Sequence, residues 1–435
     1  MESAKMNYSE RLNKVIPGGA HTYSRGDDQY PLNAPQILKR GEGAFVYSPE
    51  GEKYLDYGMA LRAVTLGYGQ KEVAEAAVNE IYNGNNLTRA SLIELQAAEL
   101  LVDLIPSVDM VKFAKNGSNV TTAAVKIARA CTGRKYIVRC MEHPFFSFDD
   151  WFIGDTPLKK GIPEEFYKLT LNFGYNDISS LALLFDQYPG QIAGVILEPA
   201  TSVHPVDGFL SKVKQLCQNN GALFILDEMI TGFRWHLQGA QVYYDIEPDL
   251  CTFGKGMANG FSVCALAGKR EFMKIGGIKE EGAERVFLTS TTHGAEMCGL
   301  GAFVRTIQFY KEHEVIEHLW NYGTKLIDGM NSIAKEVGIE DFFEANGIAC
   351  SPGYTTKDKQ GNSSLPFRTL FSQEMIKNGV LMPWIAISYA HQADELNFTL
   401  HAVKKALQVY SRALDEGVEN YLIGSAIKPV FRPFN

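Results

Sequence analysis

The middle of this 435-residue sequence alternates short apolar runs with amphipathic segments, and this alternation limits the fold more than any other feature. The apolar runs have the length and composition of buried strands, and they lie at 110–115, 136–141, 193–197, 222–226 and 263–267. Segments with helical periodicity separate several of them, at 71–82, 93–104 and 120–130. Strands that alternate with helices usually pair in parallel in a sheet that is covered on both faces. The pattern therefore predicts an α/β domain with a mostly parallel sheet.

The two ends of the chain read differently from the middle. Two short apolar runs around a turn cluster predict a β-hairpin over residues 44–57. A long amphipathic pattern over 301–337, typical of helical structure, leads into a segment that predicts a smaller α+β unit. We expect an N-terminal arm over residues 1–50 that belongs to the small domain, a large domain over 51–320 and a small C-terminal domain over 321–435.

Composition excludes several classes of protein. With 46% hydrophobic and 21% charged residues the chain has the profile of a soluble globular protein, and its formal charge of −8 argues against a nucleic-acid binder. No apolar run reaches the roughly 18 residues that a membrane span needs, and the first residues lack the apolar core of a secretory signal. Seven scattered cysteines without a C-x-x-C pair argue against disulfides and a metal site, so we expect a cytoplasmic protein.

Polar residues at the ends of the predicted strands are the candidates for chemistry, because ligands of such sheets bind at the carboxyl ends of the strands. The first group, Gly117, Ser118 and Asn119, follows a strand and begins a helix. Free backbone N–H groups at a helix start can bind a phosphate. The same residue types also serve as ordinary helix caps, so the group is ambiguous when taken alone.

An acidic pair, Asp227 and Glu228, ends another buried run. A carboxylate there could bind a metal, act as a base or pair with a protonated ring nitrogen. It could equally be an exposed loop acid or an ion-pair partner of Arg234. Because no cluster of histidine and cysteine ligands lies nearby in the sequence, the metal interpretation is the weakest of these.

Lys255 stands between two glycines directly after an apolar run. Flanking glycines allow another group to approach the backbone closely. A desolvated lysine in such a place has a lowered pKa and can form an imine, whereas a lysine in a surface turn would have no such role. Further along, the hydroxyl-rich segment 289–294, which includes Thr292, is a second possible phosphate contact or a helix cap.

Taken together and in this order, these groups resemble the class III, fold-type I aminotransferases that depend on pyridoxal 5′-phosphate (PLP), and within them the group around glutamate-1-semialdehyde aminomutase. The most specific similarities are the segments 224–234 and 253–260, and the resemblance extends from about residue 17 to 391. It implies PLP as the cofactor. It also implies a large domain with a mostly parallel seven-stranded sheet flanked by helices, and a smaller C-terminal α+β domain.

The resemblance also implies roles for single residues. Lys255 corresponds to the lysine that forms the Schiff base with PLP, and Asp227 to the partner of the pyridinium nitrogen. Gly117, Ser118 and Asn119 occupy the phosphate turn. Phe145 aligns with the aromatic residue that stacks on the ring, next to Phe146. Thr292 corresponds to a threonine that contacts the phosphate bound by the neighbouring subunit of a homodimer. Arg25 corresponds to the arginine that binds the carboxylate of the substrate, and Glu198 to a glutamate with a supporting role.

Departures from the pattern limit what the resemblance says about the reaction. Ile230 stands where many members have a glutamine against the phenolic oxygen of PLP, and the segment after Arg25 differs from that of the aminomutases. We therefore expect an aminotransferase that moves an amino group from an amino-acid donor, with L-glutamate as the expected donor, to an aldehyde or ketone that could be carbohydrate-like. The alternative is intramolecular amino transfer of the aminomutase type.

Two further classes of protein fit the sequence less well. A catalytically silent protein would be expected to lack at least one of the lysine, the aspartate and the phosphate turn, and all three are present. A pyridine-nucleotide enzyme is disfavoured because no G-x-G-x-x-G follows an early strand. The expected partners are a small amino donor, a carbonyl acceptor and a second copy of the chain, with no nucleic acid, membrane or metal.

Overall fold

A computed structural model describes residues 7–435. Contacts within the chain divide these residues into two compact units. The larger unit consists of Arg62–Thr65, Lys71–Ile316 and Pro433–Asn435. The smaller unit consists of the described residues up to Leu61, together with Leu66–Gln70 and Glu317–Arg432.

The described residues form thirteen strands, numbered in chain order: β1 Arg40–Glu42, β2 Phe45–Tyr47, β3 Lys53–Asp56, β4 Met110–Ala114, β5 Tyr136–Cys140, β6 Thr170–Phe173, β7 Ile192–Leu197, β8 Leu223–Glu228, β9 Leu250–Phe253, β10 Cys264–Gly268, β11 Phe343–Ile348, β12 Ser351–Thr356 and β13 Val380–Leu381. The helices of eight or more described residues are Tyr8–Val15, Lys71–Tyr82, Leu92–Leu104, Gly117–Thr132, Ile178–Gln187, Phe209–Asn220, Met297–Glu312, Val315–Val337, Leu365–Lys377 and Ala393–Glu416.

A seven-stranded sheet forms the centre of the larger unit, in the order β4-β10-β9-β8-β7-β5-β6. Only β10 runs antiparallel to its neighbours, β4 and β9, and the other pairs are parallel. Every residue of β7 and β8 is buried, because helices cover both faces of the sheet. The predicted mostly parallel, seven-stranded sheet is thus confirmed.

The smaller unit has a four-stranded sheet, in the order β1-β2-β3-β13, and a separate hairpin of β11 and β12. The hairpin predicted over 44–57 is present, because β2 and β3 pair antiparallel with Phe45 opposite Leu55. The last strand, β13, joins the same sheet in parallel with β3, so that Val380 lies opposite Leu55.

The amphipathic pattern over 301–337 corresponds to helical structure, but to more than one helix. The structure has two helices in this region: the first ends at Glu312, and the second begins at Val315. Between them His313 is extended (φ −132°, ψ 147°), while its backbone N–H still bonds to the carbonyl of Phe309. Extended backbone interrupts the helical hydrogen-bond ladder without changing which residues are apolar. The amphipathic pattern therefore continued across a break that it could not reveal.

A left-handed turn (Met59–Arg62) follows β3, with φ values of 38°, 49°, 64° and 67° along the chain. None of its four residues is a glycine, so each is in a conformation that L-amino acids avoid. Asp56 holds the turn, since its carboxylate accepts hydrogen bonds from the backbone N–H groups of Gly58 (2.7 Å) and Met59 (3.0 Å). The hydroxyl of Tyr68 donates to the same carboxylate (2.6 Å).

Three properties of the described residues bear on function. Among residues 7–435, no helix is long and apolar enough to cross a membrane. The same residues contain no group of three or more histidine, cysteine, aspartate or glutamate side chains that could hold a metal ion. All seven cysteines are free thiols, and five of them are buried.

Candidate active site

Lys255 lies in the turn after β9, and its backbone is left-handed (φ +44°). Non-glycine residues in that conformation are strained, and they cluster at functional sites. The glycines beside it are required by packing. A Cβ atom at Gly254 would lie 2.6 Å from Sγ of Cys264, and one at Gly256 would lie 2.5 Å from Oγ1 of Thr65. The groups that approach the backbone closely are therefore protein side chains.

Asp227 lies at the end of β8 and is buried. Its Oδ1 atom accepts hydrogen bonds from the backbone N–H of Met229 and the hydroxyl of Thr252, both at 3.0 Å. Burial raises the pKa of this carboxyl group, while the two hydrogen bonds and the positive charge of Lys255 oppose the rise. Because both bonds end on Oδ1, the other oxygen remains available to a ligand.

Glu198 follows β7 and stands beside Asp227. The parallel register places Leu197 opposite Leu226, so the next residues, Glu198 and Asp227, are neighbours on adjacent strands about 5 Å apart. Glu198 is only 3% exposed, and its Oε2 atom has no hydrogen-bond partner among the described residues. The sequence assigned this residue no more than a supporting role.

His143, in the segment after β5, contacts the same place. Its Nδ1 atom accepts a hydrogen bond (2.9 Å) from the backbone N–H of Glu198, so the neutral ring carries its proton on Nε2. Burial lowers the pKa of this histidine to about 3. Nε2 is buried without a partner in the described part of the chain. Unpaired buried polar atoms are uncommon in proteins, and two of those in the described residues belong to Glu198 and His143 at this end of the sheet.

Four charged side chains interact at this end of the sheet. Burial lowers the pKa of Lys255, and the nearby charge of Arg62 lowers it further, whereas Glu198 and Asp227 oppose this. Burial and the charge of Asp227 raise the pKa of Glu198 to about 8, against the effects of Lys255 and Arg62. A lysine whose neutral form is favoured in this way is a competent nucleophile towards a carbonyl group.

The predicted phosphate turn begins the helix Gly117–Thr132. The side chain of Asn116 caps this helix by accepting a hydrogen bond from the N–H of Asn119 (3.0 Å). The cap uses the amide of Asn119, and the amides of Gly117 and Ser118 point out of the first turn because no preceding helical carbonyl exists for them. The cap therefore involves Asn116 and Asn119, and the phosphate-binding role of Gly117 and Ser118 stays a prediction.

The predicted stacking residue lies in a segment that is tied to this helix. The hydroxyl of Ser118 accepts from the backbone N–H of Phe148 (2.9 Å), and Thr121 donates to the carbonyl of Phe146 (2.7 Å). Phe146 is 2% exposed, whereas Phe145 is 47% exposed. Of the two neighbouring rings, that of Phe145 is the more exposed, and its stacking role stays a prediction.

Thr292 is exposed in the loop before the helix Met297–Glu312. Its backbone carbonyl accepts a hydrogen bond from the side chain of Asn86 (2.9 Å). Arg25 lies in the smaller unit, exposed at the end of the short 3₁₀ turn Tyr23–Arg25. It lines a cavity of about 820 Å³ within that unit, together with Tyr30, Asp56 and Trp384.

Sequence reasoning missed several members of this site. The sequence patterns point to neither His143 nor Thr252, although both stand at strand ends where ligands bind. Their position near the carboxyl ends of strands is the sequence signal that could have identified them. Arg62 could not be found in this way, because it is brought to the site by the left-handed turn, which leaves no pattern in the sequence.

The residues present fit PLP. A lysine with a lowered pKa, a buried carboxylate with one available oxygen and outward-pointing amides at a helix start match the aldehyde, the ring nitrogen and the phosphate of this cofactor. The unpaired atoms of Glu198 and His143 lie at the same end of the sheet. Fold and site together define a PLP-dependent enzyme of fold type I.

Comparison with known proteins agrees with this class and gives the family. The profile of the family Aminotransferase class-III matches residues 26–414, and the chain belongs to this family. A 3-aminobutyryl-CoA aminotransferase of Cloacimonas acidaminovorans is 30% identical over 419 residues, which cover 94% of this chain and 98% of that protein. A glutamate-1-semialdehyde 2,1-aminomutase of Alkaliphilus oremlandii is 32% identical over 415 residues, which cover 91% and 96%.

Solved structures have the same fold. The FumI protein of Sphingopyxis sp. MTA144, in its PLP internal aldimine form, superposes with a TM-score of 0.85 at 27% identity over 94% of this chain and 96% of that one. An omega-transaminase from Sphaerobacter thermophilus has a TM-score of 0.83 at 22% identity, with 94% and 98% covered. The protein is therefore a PLP-dependent enzyme of a family that contains both transaminases and aminomutases.

Proposed function

We propose that this enzyme is an aminotransferase that takes the amino group of an amino acid, with L-glutamate as the donor, and transfers it to an aldehyde or ketone. A carbohydrate-like carbonyl compound is one candidate acceptor. The observation that carries this proposal is the cluster of Lys255, Asp227 and Glu198 at the ends of adjacent strands. One lysine and one partner for the ring nitrogen suffice for both halves of a transamination.

PLP, when bound, withdraws electrons from the carbon that carries the amino group and so stabilises the charge left when that carbon loses a proton. The protein's own groups do the rest in this proposal. Lys255 takes up and returns that proton, for which a lowered pKa is needed. Asp227 keeps the ring nitrogen protonated by accepting its hydrogen bond. The amides of Gly117 and Ser118 bind the phosphate, while Asn119 supports the turn and Phe145 stacks on the ring.

Arg25 is proposed to bind the carboxylate of the amino-acid donor. It is exposed and lines the cavity of the smaller unit, and a guanidinium can bind a carboxylate through two hydrogen bonds. Replacing Arg25 by lysine keeps the charge and removes the paired geometry. The KM for the donor should then rise roughly tenfold with little change in kcat, and an unchanged KM would remove this role.

We also propose that two copies of the chain form the working enzyme and that Thr292 contacts the phosphate bound by the other copy. Between residues 78 and 95 the larger unit exposes six large apolar side chains: Val78, Ile81, Tyr82, Leu87, Leu92 and Leu95. Asn86, in the same stretch of chain, bonds to the backbone carbonyl of Thr292. Sedimentation of the wild type and of Leu92→Glu tests this proposal. A monomeric, fully active wild type would contradict it.

Intramolecular amino transfer is the second candidate, because relatives that cover nearly the whole chain at 30–32% identity are aminomutases by name. The two candidate reactions differ in one requirement: an aminotransferase needs a separate amino donor, and an aminomutase does not. The PLP-loaded enzyme is mixed with L-glutamate alone, and the release of 2-oxoglutarate is measured. We expect one equivalent per site, with loss of the yellow colour. If no common donor releases a keto acid but a single amino-aldehyde isomerises, the aminomutase is correct. A protein that takes up no PLP would contradict both.

A further inference from the structure

Glu198 has a feature that the proposed reaction does not use. It is a buried glutamate whose Oε2 atom finds no hydrogen-bond partner among residues 7–435. The burial of a carboxyl oxygen without a hydrogen bond is costly, and the nearby charges of Lys255 and Arg62 offset only part of that cost, since the pKa of Glu198 remains raised. Its own backbone N–H bonds to His143, but that contact leaves the carboxyl group untouched. A ligand that pairs with this oxygen would complete the site.

The strand order indicates which part of the cofactor lies there. Lys255 follows β9 and Asp227 ends β8, so these two residues lie in the middle of the sheet. The phosphate turn at Gly117 follows β4, on one side of them, and it packs against Met229. Glu198 follows β7, on the other side. The phosphate turn and Glu198 therefore flank the pair of Lys255 and Asp227 from opposite directions.

The substituents of PLP have the same arrangement. Its ring nitrogen and the carbon that bonds to lysine are at opposite ends of the ring, with the phosphate arm on one side of that line and the phenolic oxygen on the other. If Asp227 binds the nitrogen, Lys255 the carbon and Gly117 the phosphate, then the phenolic oxygen faces Glu198. This step rests on the proposed roles of those three residues.

We infer that Glu198, in its neutral form, donates a hydrogen bond from its carboxyl group to the phenolic oxygen of bound PLP. A neutral carboxyl group has one O–H donor, and a phenolate oxygen is a strong acceptor, so the pair satisfies both. A charged carboxylate in the same place would repel the phenolate. The proposed hydrogen bond therefore requires the neutral form of Glu198.

The surroundings of Glu198 favour the neutral form. Burial raises its pKa to about 8, and the adjacent negative charge of Asp227 adds to the rise. Five titratable or charged groups face it from the elements packed around it: Asp227 at the end of β8, Lys255 after β9, Arg62 in the segment Arg62–Thr65, Tyr175 after β6 and His143 after β5. Of these, Lys255 and Arg62 favour the charged form. Lys255 loses its charge when it bonds to PLP as a neutral nitrogen, which leaves Arg62 as the remaining opposing charge.

The test uses the pH dependence of the visible absorption band of the PLP-loaded enzyme, which reports the protonation of the nitrogen shared by Lys255 and the cofactor. A hydrogen bond to the phenolic oxygen stabilises the deprotonated form of that nitrogen and lowers its pKa. Glu198→Ala should therefore raise this pKa by about one unit and weaken PLP binding roughly tenfold. Glu198→Gln keeps a neutral donor and should stay within a few tenths of a unit of the wild type.

Glu228→Gln is the matched control. Glu228 is also a buried carboxyl group and is adjacent to Asp227 in the sequence, but its hydrogen-bond partners are protein groups. This variant should leave the pKa of the band unchanged. Three results would overturn the inference: no shift in Glu198→Ala, a lower pKa in both Glu198 variants as a charged Glu198 would produce, or a shift in Glu198→Gln as large as in the alanine variant. A wild type without the visible band would instead contradict the proposed function, so the two failures are distinguishable.

Discussion

Two buried glutamates of the larger unit, Glu228 and Glu198, show how similar burial can serve different ends. Glu228 is fully buried, and its carboxylate accepts four hydrogen bonds, from Thr231 (2.7 Å), the backbone of Ala240 (2.7 Å), and the backbone and side chain of Gln241 (2.9 and 3.2 Å). Glu198 is almost as buried, but one of its oxygens has no partner within the described chain.

Burial raises the pKa of both carboxyl groups, but different interactions oppose the rise. At Glu228 the opposing interactions are hydrogen bonds from neighbouring protein groups, and at Glu198 they are the charges of Lys255 and Arg62. Hydrogen bonds that are complete within the protein stabilise the fold. Incomplete ones beside a reactive lysine cost stability and leave room for a ligand. The region around Glu228 is therefore expected to control stability, and the cluster around Lys255 to control chemistry.

The largest effect should come from the lysine of the reactive cluster. Lys255→Ala removes the group that bonds to PLP and moves the proton, so turnover should fall at least roughly a thousandfold. Borohydride reduction followed by mass spectrometry should fix PLP to the wild type and not to this variant. Lys112→Ala, at an exposed lysine of β4, is the control and should behave as the wild type. Normal turnover in Lys255→Ala would remove the lysine from its role.

Asp227→Ala should have the next largest effect. The loss of a buried partner for the ring nitrogen should lower kcat by about two to three orders of magnitude and weaken PLP binding, measured by fluorescence titration. Glu228→Gln, at the neighbouring position of the same strand, should retain most of the turnover. If the two variants lose activity to the same extent, the division between a structural and a reactive region is wrong.

Glu228→Ala should lower the stability of the protein rather than its activity. Four donors lose their acceptor inside the protein, so the free energy of unfolding should fall by about 2–4 kcal/mol, measured by urea unfolding without cofactor. The kcat of the protein that remains folded should be close to that of the wild type. A large fall in kcat at unchanged stability would reverse the assignment of this glutamate.

The smallest expected effect is a pH dependence at Glu198. Its pKa is raised to about 8 in the folded protein, above its ordinary value near 4.3. Its contribution is therefore fully present below the lower value and is lost as the pH rises through the higher one. Without PLP, Glu198→Gln should match the wild type near pH 4 and exceed its stability above about pH 8, by roughly 1–3 kcal/mol. Unfolding curves at several pH values test this, and a gap that stays constant would contradict it.

The sequence predicted the central sheet well and other parts of the fold less well. Apolar runs such as those of β7 and β8 are buried on both faces, so their composition alone marks them as strands. β6, at the edge of the sheet, is only partly buried and was not recognised. The pairing of β13 with β3 joins residues that are far apart in the chain, and neither short segment contains a pattern that identifies the other as its partner.

The candidate site divides in the same way. Lys255, Asp227 and Gly117 were found because each belongs to a motif that is continuous in the sequence. The contact of Glu198 with His143 depends on two strands that lie side by side, and the burial that shifts their pKa values comes from the packed molecule. Contacts that arise from such packing cannot be predicted from a local pattern, so the sequence predicted no more than a supporting role for Glu198 and none for His143.

The left-handed turn Met59–Arg62 reverses the usual effect of glycine. In most helices and strands a glycine lowers stability, but here each side chain costs about 1 kcal/mol relative to a relaxed backbone. Asp56 and Tyr68 supply the hydrogen bonds that hold the segment in place. A protein engineer who scanned this chain for heat resistance would therefore test glycine at Ala60, which loses only a methyl group in the exchange and gains a backbone that adopts this conformation freely.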